Sequence, residues 1–463
     1  MKKEKKKIFV IVGAVVACLA VVYVGFGIFF QSHFCFGTTI DGIKAGGKSV
    51  EKVEQLITEE IDSYVLNLAE REDGSESISG ESIQIAPVFN GEVEELLNGQ
   101  NGFAWVVTLF KHDNLELAKV VTFDEDALDS QIDQLNCMQA SEQREPVDAT
   151  VSAYTADGYS LVPADYGTTI DKNTFKKAVE DSILVLADEL DLDEADCYVK
   201  PEIEDDNEKL LAVIDEMNSY VGTTITYDFD VAKEVLDGER ISEWLSVDDD
   251  LNLVVDEEGV LSFVKELASE YNTCYKPKEL KTSYGSTVTI SNGPYGWKIN
   301  NSEEVAQILD DLKAGKKVER EPVYAQTANS HGENDYGNSY VEINLTAQHL
   351  FLYKDGVLVT ESDFVSGNVA KGHATPGGAF MLTYKTLNAV LRGPDYETPV
   401  TYWMPFNGDV GMHDATWRNK FGGSIYKTSG SHGCINLPAS AAKKIYETID
   451  KGLSLIHISE PTR

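Results

Sequence analysis

The longest apolar stretch of the chain runs from Ile8 to Phe30 without a charged residue, and Lys2, Lys3, Lys5, Lys6 and Lys7 precede it. About 20 apolar residues carry a helix across a bilayer. The run is longer than a signal-peptide core and no small-residue cleavage site follows, so it reads as an uncleaved signal anchor with its lysines on the cytoplasmic side. A cleaved signal peptide is the alternative. Beyond it the pattern becomes amphipathic. Val50, Val53, Leu56, Ile57 and Ile61 recur at helical spacing behind Ser49, which predicts a capped helix, and Thr150 to Tyr154 and Tyr159 to Val162 read as short strands. The region to about Asn207 is therefore α+β.

One motif occurs twice. Tyr166-Gly167-Thr168-Thr169-Ile170-Asp171 aligns with Tyr295-Gly296-Trp297-Lys298-Ile299-Asn300 at an offset of 129. Each copy leads into a helix, with Val179 and Ile183 in the first and Val305, Ile308, Leu309 and Leu312 in the second, so two copies of one module are expected. The acidic runs Asp188 to Asp196 and Asp248 to Asp250 lack a calcium-loop pattern and read as solvated faces. Gln326 to Asn338, rich in Asn, Ser and Gly, reads as a linker.

Alternation returns after it. Tyr340 to Leu345 predicts a strand, and Gln348 to Tyr353 pairs with Val357 to Thr360 across Lys354-Asp355-Gly356 as a hairpin. Asn388 to Thr398 has loop composition and by position is a lid over a cleft, with Tyr402 and Trp403 as its aromatic wall or else as core. Pro438 to Ile449 reads as a helix with Ala439, Ala442, Ile445, Tyr446 and Ile449 on one face.

The chemistry concentrates just before that helix, in Ser431-His432-Gly433-Cys434-Ile435-Asn436-Leu437, together with Gly411-Met412-His413-Asp414. A catalytic thiol needs a base, space for a carbonyl carbon, and donors for an oxyanion. Cys434 at a helix entrance would have its pKa lowered by the helix dipole. His413, 21 residues upstream, is the expected base. The amides of Gly433 and Cys434 are the expected oxyanion donors.

These segments resemble the L,D-transpeptidase catalytic domain of the YkuD type, whose signature is a histidine segment followed by S-H-G-C-[IV]-[RN]. The resemblance extends over roughly Tyr340 to Gly452, and Thr375-Pro376-Gly377-Gly378-Ala379-Phe380 matches the family's T-P-x-G-x-[FY] turn. It implies that Cys434 is the nucleophile and His413 the general base, that the Ser431 main-chain carbonyl orients the imidazole, and that His432 and Asp414 support them. Tyr402, Trp403 and Asn436 are the expected substrate contacts. A mostly β catalytic domain is expected. The two upstream copies resemble the peptidoglycan-binding modules of Gram-positive members, which implies wall binding, although spacers would serve equally.

These readings divide the chain into a basic tail (1–7), an anchor (8–30), a first module region (31–208), a second module (209–325), a linker (326–338) and a catalytic domain (339–452). Residues 453–463, Leu-Ser-Leu-Ile-His-Ile-Ser-Glu-Pro-Thr-Arg, look like a sequencing adapter read as protein; they are expected to lie outside the fold, leaving the family's closing strand missing. The implied reaction is 3→3 cross-linking of peptidoglycan stem peptides at the outer face of the cell membrane, with release of D-alanine from a tetrapeptide donor. Carbapenem-type β-lactams are the implied inhibitors. An L,D-carboxypeptidase and a catalytically idle wall-binding protein are the rivals. No metal or cofactor is called for.

Charge narrows the partners. The formal net charge is −38, from 77 acidic and 39 basic residues, which argues against nucleic acid and anionic surfaces. It reads as a solubilising surface, or as acidic walls that favour an amine-bearing acceptor. Of six cysteines, Cys18 lies in the anchor and Cys434 is expected to be free. Cys35, Cys137, Cys197 and Cys274 leave open one disulfide, Cys137 with Cys197, or buried free thiols.

Overall fold

The computed structural model describes residues 2–117, 120–331, 334–393 and 396–459. Two compact units follow from its contacts, one built from residues 1–150 and 161–207 and the other from 151–160 and 208–463.

The first unit begins with helix α1 (Lys2–Phe29), long and apolar enough to cross a membrane by length and composition. Helix α2 (Val50–Asp62) is capped by Ser49, whose Oγ accepts from the Lys52 amide, and buries Val53, Ile57 and Ile61. Strands β1 (Val65–Ala69) and β2 (Ser75–Ser79) form a hairpin, and β3 (Ala86–Val88) pairs antiparallel with β4 (Val120–Thr122). Helix α3 (Glu125–Ile132) comes next. Helix α4 (Lys172–Leu184), capped by Asp171, then leads to β5 (Glu189–Asp191), which returns parallel to β1. The acidic run expected as a solvated face is thus partly a strand. Leu190 and Leu192 face the core between the acids, because strand alternation lets every second side chain stay in water. No disulfide forms, and all six cysteines are free thiols.

The second unit opens with the same order of elements. Helix α5 (Glu208–Val221) precedes hairpin β6 (Thr224–Asp228) and β7 (Lys233–Leu236), then hairpin β8 (Leu245–Val247) and β9 (Leu253–Val255), and helix α6 (Glu257–Tyr271). After an added hairpin, β10 (Lys278–Lys281) and β11 (Thr287–Ile290), helix α7 (Asn301–Lys313) is capped by Asn300, and β12 (Lys317–Arg320) returns parallel to β6. The repeated motif therefore marks one recurring joint. Asp171 and Asn300 each cap the helix that feeds the closing parallel strand.

The stretch expected as a linker is pinned rather than loose. Asp335 accepts from buried Lys278 Nζ and from Thr273 Oγ1, both at 2.6 Å. Tyr336 is buried in a cluster with Leu280, Ile290, Tyr295, Ala379, Ile456 and Ile458. Its polar composition supplies partners for buried groups, which local pattern alone does not reveal.

The remaining elements build two sheets around one core. The five-stranded sheet has β13 (Tyr340–Asn344), β14 (His349–Lys354), β15 (Val357–Asp363), β16 (Gly378–Met381) and β21 (Ser454–Ile458), in the order β15-β14-β13-β21-β16. The four-stranded sheet runs β17 (Thr386–Gly393), β18 (Tyr396–Asn407), β19 (Val410–Asp414), β20 (Ile435–Leu437). Helix α8 (Ala439–Thr448) buries Ala442 and Ile445 against their shared core with Val341, Leu352, Met404, Ile435 and Leu455.

Two expectations are corrected. Residues 454–458 are not outside the fold: they form β21, parallel to β13 and antiparallel to β16, with all five residues buried. Leu455, Ile456 and Ile458 supply the apolar side chains that a strand covered on both faces requires, with Ser454 and His457 buried beside them; Glu460 to Arg463 lie outside the described residues. The expected lid loop is also a hairpin, in which β17 pairs with β18 from Thr386↔Trp403 to Gly393↔Tyr396. Ala389 and Leu391 pack inward on its alternating face, a pattern hidden by the Arg, Gly and Pro around the turn. Pro394 and Asp395 lie outside the described residues.

Candidate active site

Strands β19 and β20 pair in parallel, with Met412 opposite Ile435 and His413 opposite Asn436. This register sets the histidine of one motif beside the cysteine of the other. Both line a cavity of about 480 Å³ with Asn436, Ser431, His432, Leu391, Tyr396, Trp417 and Arg418. A larger cavity, about 730 Å³, lies in the second module beside Glu257, Lys298 and Ser302, and its lining carries neither thiol nor imidazole. Chemistry, not size, selects the smaller one.

His413 is buried, and its Nδ1 lies 2.8 Å from the main-chain carbonyl of Asp414. With the proton on Nδ1 facing that carbonyl, Nε2 keeps its lone pair. Burial pulls the His413 pKa below its usual value, and the positive charge of Arg418 acts in the same direction. The expected orienting group, the Ser431 carbonyl, is not in that place: it accepts from the Asn368 amide at 2.9 Å. Asp414 supports the site in a second way, since its Oδ1 accepts from the amides of Thr401 and Tyr402 at 2.8 and 2.7 Å. The β17–β18 pairing skips Asn388 and Thr401 at that point.

Cys434 is 9 % exposed, and its Sγ donates to the Asp409 carbonyl at 3.7 Å. Desolvation pushes the thiol up to about 11, against a smaller opposing contribution from the Gly411 amide. The expected lowering by a helix dipole does not occur, because the strand Ile435–Leu437 separates Cys434 from α8. The field of a helix terminus falls off within a turn.

The loop before Cys434 is braced from below. Thr375 Oγ1 donates to the Gly433 carbonyl at 2.6 Å and accepts from the Gly367 amide at 2.9 Å. Ser431 Oγ accepts from the Gly433 amide at 3.1 Å and donates to the Cys434 carbonyl at 2.5 Å. The Gly433 amide, one of two expected oxyanion donors, is therefore already engaged. Gly433 itself has φ +124°, a region closed to side chains. Gly367 is equally constrained, since an added Cβ would lie 1.7 Å from the His373 carbonyl oxygen.

The expected substrate residues separate. Asn436 lines the cavity, and its buried Oδ1 bonds no other group among the described residues. Trp403 is buried under the site, packed with Val400 and Cys434, its ring 6.0 Å from that of His413. Tyr402 points to the other face of β18 and packs on Tyr446 of α8, because neighbours on a strand alternate sides. The aromatic walls are instead Tyr396 and Trp417, with the ring of exposed His432 tilted against Tyr396 at 4.8 Å. Arg418 was not legible as a site residue. It faces the cavity, its buried Nε has no partner, and no carboxylate pairs with it among the described residues.

A family model described as the L,D-transpeptidase catalytic domain matches residues 338–458, and one described as a putative peptidoglycan binding domain matches residues 206–320. Among solved structures, Ldtfm in its avibactam carbamoyl form is 32% identical; the match covers 54% of this chain and 100% of that one, with a TM-score of 0.45. A cysteine-to-serine mutant of the Enterococcus faecium L,D-transpeptidase is 31% identical, covering 53% of this chain and 99% of that one, with a TM-score of 0.44. The E. faecium catalytic domain acylated by ertapenem is 41% identical over 26% of this chain and 97% of that one, with a TM-score of 0.25. No curated protein matches the chain.

Proposed function

This chain belongs to the L,D-transpeptidase family, and from that premise we propose that it cross-links peptidoglycan through a thioester on Cys434. The observation that carries the reading is the convergence of His413, on β19, and Cys434, directly before the parallel strand β20, on one cavity that also holds Arg418, with which no carboxylate pairs among the described residues.

In the resting site, thiol and imidazole are both neutral, since burial disfavours the charged form of each. His413 Nε2 takes the thiol proton as Sγ attacks the carbonyl of the third residue of a donor tetrapeptide. The Cys434 amide supports the oxyanion. The bond to the terminal D-alanine breaks, the leaving amine receives the proton from His413, and a thioester remains. The side-chain amine of a second stem then attacks that thioester, gives its proton to His413, and leaves a 3→3 amide bond with the thiol restored. Arg418, with which no carboxylate pairs among the described residues, holds the carboxylate end of the donor. Asn436 meets the stem backbone through its open Oδ1.

Both matched domains concern peptidoglycan, which puts the chain at the cell wall. On this reading α1 is a single-pass anchor, the catalytic domain works outside the membrane, and the two modules hold it at the wall. β-Lactams that acylate the E. faecium relative are expected to acylate Cys434. Intact-protein mass spectrometry with a disaccharide-tetrapeptide and with a carbapenem tests this. Adducts that appear on the wild type and vanish in Cys434→Ala support it, and the released product separates cross-linking from water acting as acceptor. A folded protein that forms no adduct with either compound overturns it.

A further inference from the structure

The segment Gly102-Phe103-Ala104-Trp105-Val106-Val107-Thr108-Leu109-Phe110 contains no charged residue, although Lys111, His112 and Asp113 follow it directly. It belongs to the insertion between β3 and β4, which has no counterpart between β8 and β9 of the second module. Two short helical turns, Gly102–Ala104 and Trp105–Thr108, form it. Its apolar side chains do not enter the core of the first unit. Val107 is 60% exposed, Phe110 87%, and Val106 and Leu109 are also exposed.

The segment is fixed instead to the end of α1. Tyr23 Oη donates to the Phe103 carbonyl at 2.7 Å, and Trp105 Nε1 donates to the Tyr23 carbonyl at 3.1 Å. The Trp105 ring lies 4.9 Å from that of Phe26. Gln100 Nε2 donates to the carbonyls of Phe30 and His33, both at 2.7 Å, and so satisfies groups left open where the helix ends. The contact is close enough to require glycines. A Cβ on Gly27 would lie 2.3 Å from the Phe103 ring, and one on Gly102 would lie 3.0 Å from the Gly27 carbonyl.

Depth follows from the helix. Tyr23 lies six residues before Phe29, the last residue of α1, and at 1.5 Å per residue the segment reaches back along the helix by ~9 Å. An interfacial layer is about that deep, and Trp and Tyr concentrate there. We propose that Gly102–Phe110 is a membrane wedge, inserted in the outer leaflet beside the signal anchor, its occupant the lipid bilayer itself. It rests on the reading that α1 spans the membrane. The wedge and α1 then present one continuous lipid-facing surface. Hydrogen bonds within the short turns and to Tyr23 keep its backbone satisfied where water is scarce. The first module, which carries the wedge in its own chain, is thereby held against the membrane by two elements rather than one.

The test uses the full chain in phosphatidylcholine/phosphatidylglycerol vesicles whose acyl chains carry bromine at a shallow or a deep position. The expected result is emission quenched most strongly by the shallow bromines, a component absent from Trp105→Phe and restored by Phe110→Trp in that background. Far-UV circular dichroism checks that each variant is folded. In parallel, a membrane-impermeant maleimide probes Cys18, in the middle of α1. If Cys18 is protected while bromine-dependent quenching is the same in wild type, Trp105→Phe and the restored variant, the wedge is overturned and the anchor stands. If Cys18 is labelled in the vesicles, the anchor reading falls and takes the wedge with it.

Discussion

The imidazole of His413 is oriented by the backbone of its own neighbour, with Nδ1 2.8 Å from the Asp414 carbonyl oxygen. Burial outweighs the support that this carbonyl and the Asp414 charge give to an imidazolium, so the pair His413 and Cys434 rests neutral. Iodoacetamide should therefore modify Cys434 slowly at neutral pH, the rate climbing towards the thiol's value of about 11. Turnover should persist below the ordinary histidine pKa and fall only as His413, whose pKa is lowered, takes a proton. An alkylation rate already flat across neutral pH would instead mean a preformed thiolate.

The Asp414 carboxylate has a separate task, accepting from the amides of Thr401 and Tyr402 where β18 leaves its ladder. Asp414→Ala leaves the part-buried amides of Thr401 and Tyr402 without their carboxylate acceptor, at about 1–3 kcal/mol each at most. Denaturant titration should show a lowered midpoint. At temperatures well below unfolding, kcat should change little, because the carbonyl that holds His413 remains.

Thr375 braces the loop before Cys434 through its hydroxyl. Thr375→Val keeps the shape and removes both bonds, and a loop misplaced by a fraction of an ångström should cost about 10–100-fold in acylation rate. Thr375→Ser should recover most of that loss in stopped-flow acylation by a carbapenem. Equal rates in Val and Ser variants would assign Thr375 to packing only.

Arg418 lines the cavity with its buried Nε unpartnered, and no carboxylate pairs with it among the described residues. Arg418→Gln should reduce kcat/KM for a donor with a free terminal carboxylate by about 100-fold, the size of a charge-assisted pair. A donor ending in an amide should be used equally by wild type and variant. A loss on both donors would place the effect in His413 instead.

His457 is buried in β21, where Nδ1 lies 3.0 Å from the Pro376 carbonyl and Nε2 has no partner among the described residues. Its pKa falls to about 4 because burial disfavours the cation. The unfolded chain takes up its proton near pH 6.5, so stability is complete above that value and declines as pH falls towards 4, by up to ~3 kcal/mol. His457→Val should raise the melting temperature and flatten most of this decline. A melting curve equally acid-sensitive in the variant would locate the sensitivity elsewhere.

What the sequence made legible was local. Ser49, Asp171 and Asn300 stand at helix starts, apolar spacing marks α2, α4 and α7, and His413 lies in a strand that pairs directly with the one that follows Cys434. The brace that Thr375 supplies and the place of Arg418 at the cavity were not legible, because neither residue carries a local signal for where its side chain points. A carbonyl has no side-chain signature, so the hold of Asp414 on His413 is invisible in one-dimensional pattern. Strands β5 and β17 were hidden for a compositional reason, their outward positions being occupied by acids or by Arg and Asn. Cys434 was expected to be acidified by α8, and three intervening strand residues with burial reverse that sign.

In the five-stranded sheet, β21 lies between β13 and β16, and Tyr340 pairs with Ser454. A ribosome delivers residues 454–458 after every other strand of both sheets. Until then β13 and β16 have no common neighbour, and Leu455 is absent from the core on which β19 and β20 rest. Closure across so long a loop is among the slower events in folding. The cavity that His413 and Cys434 line therefore rests on a core that is complete only once synthesis has passed that strand.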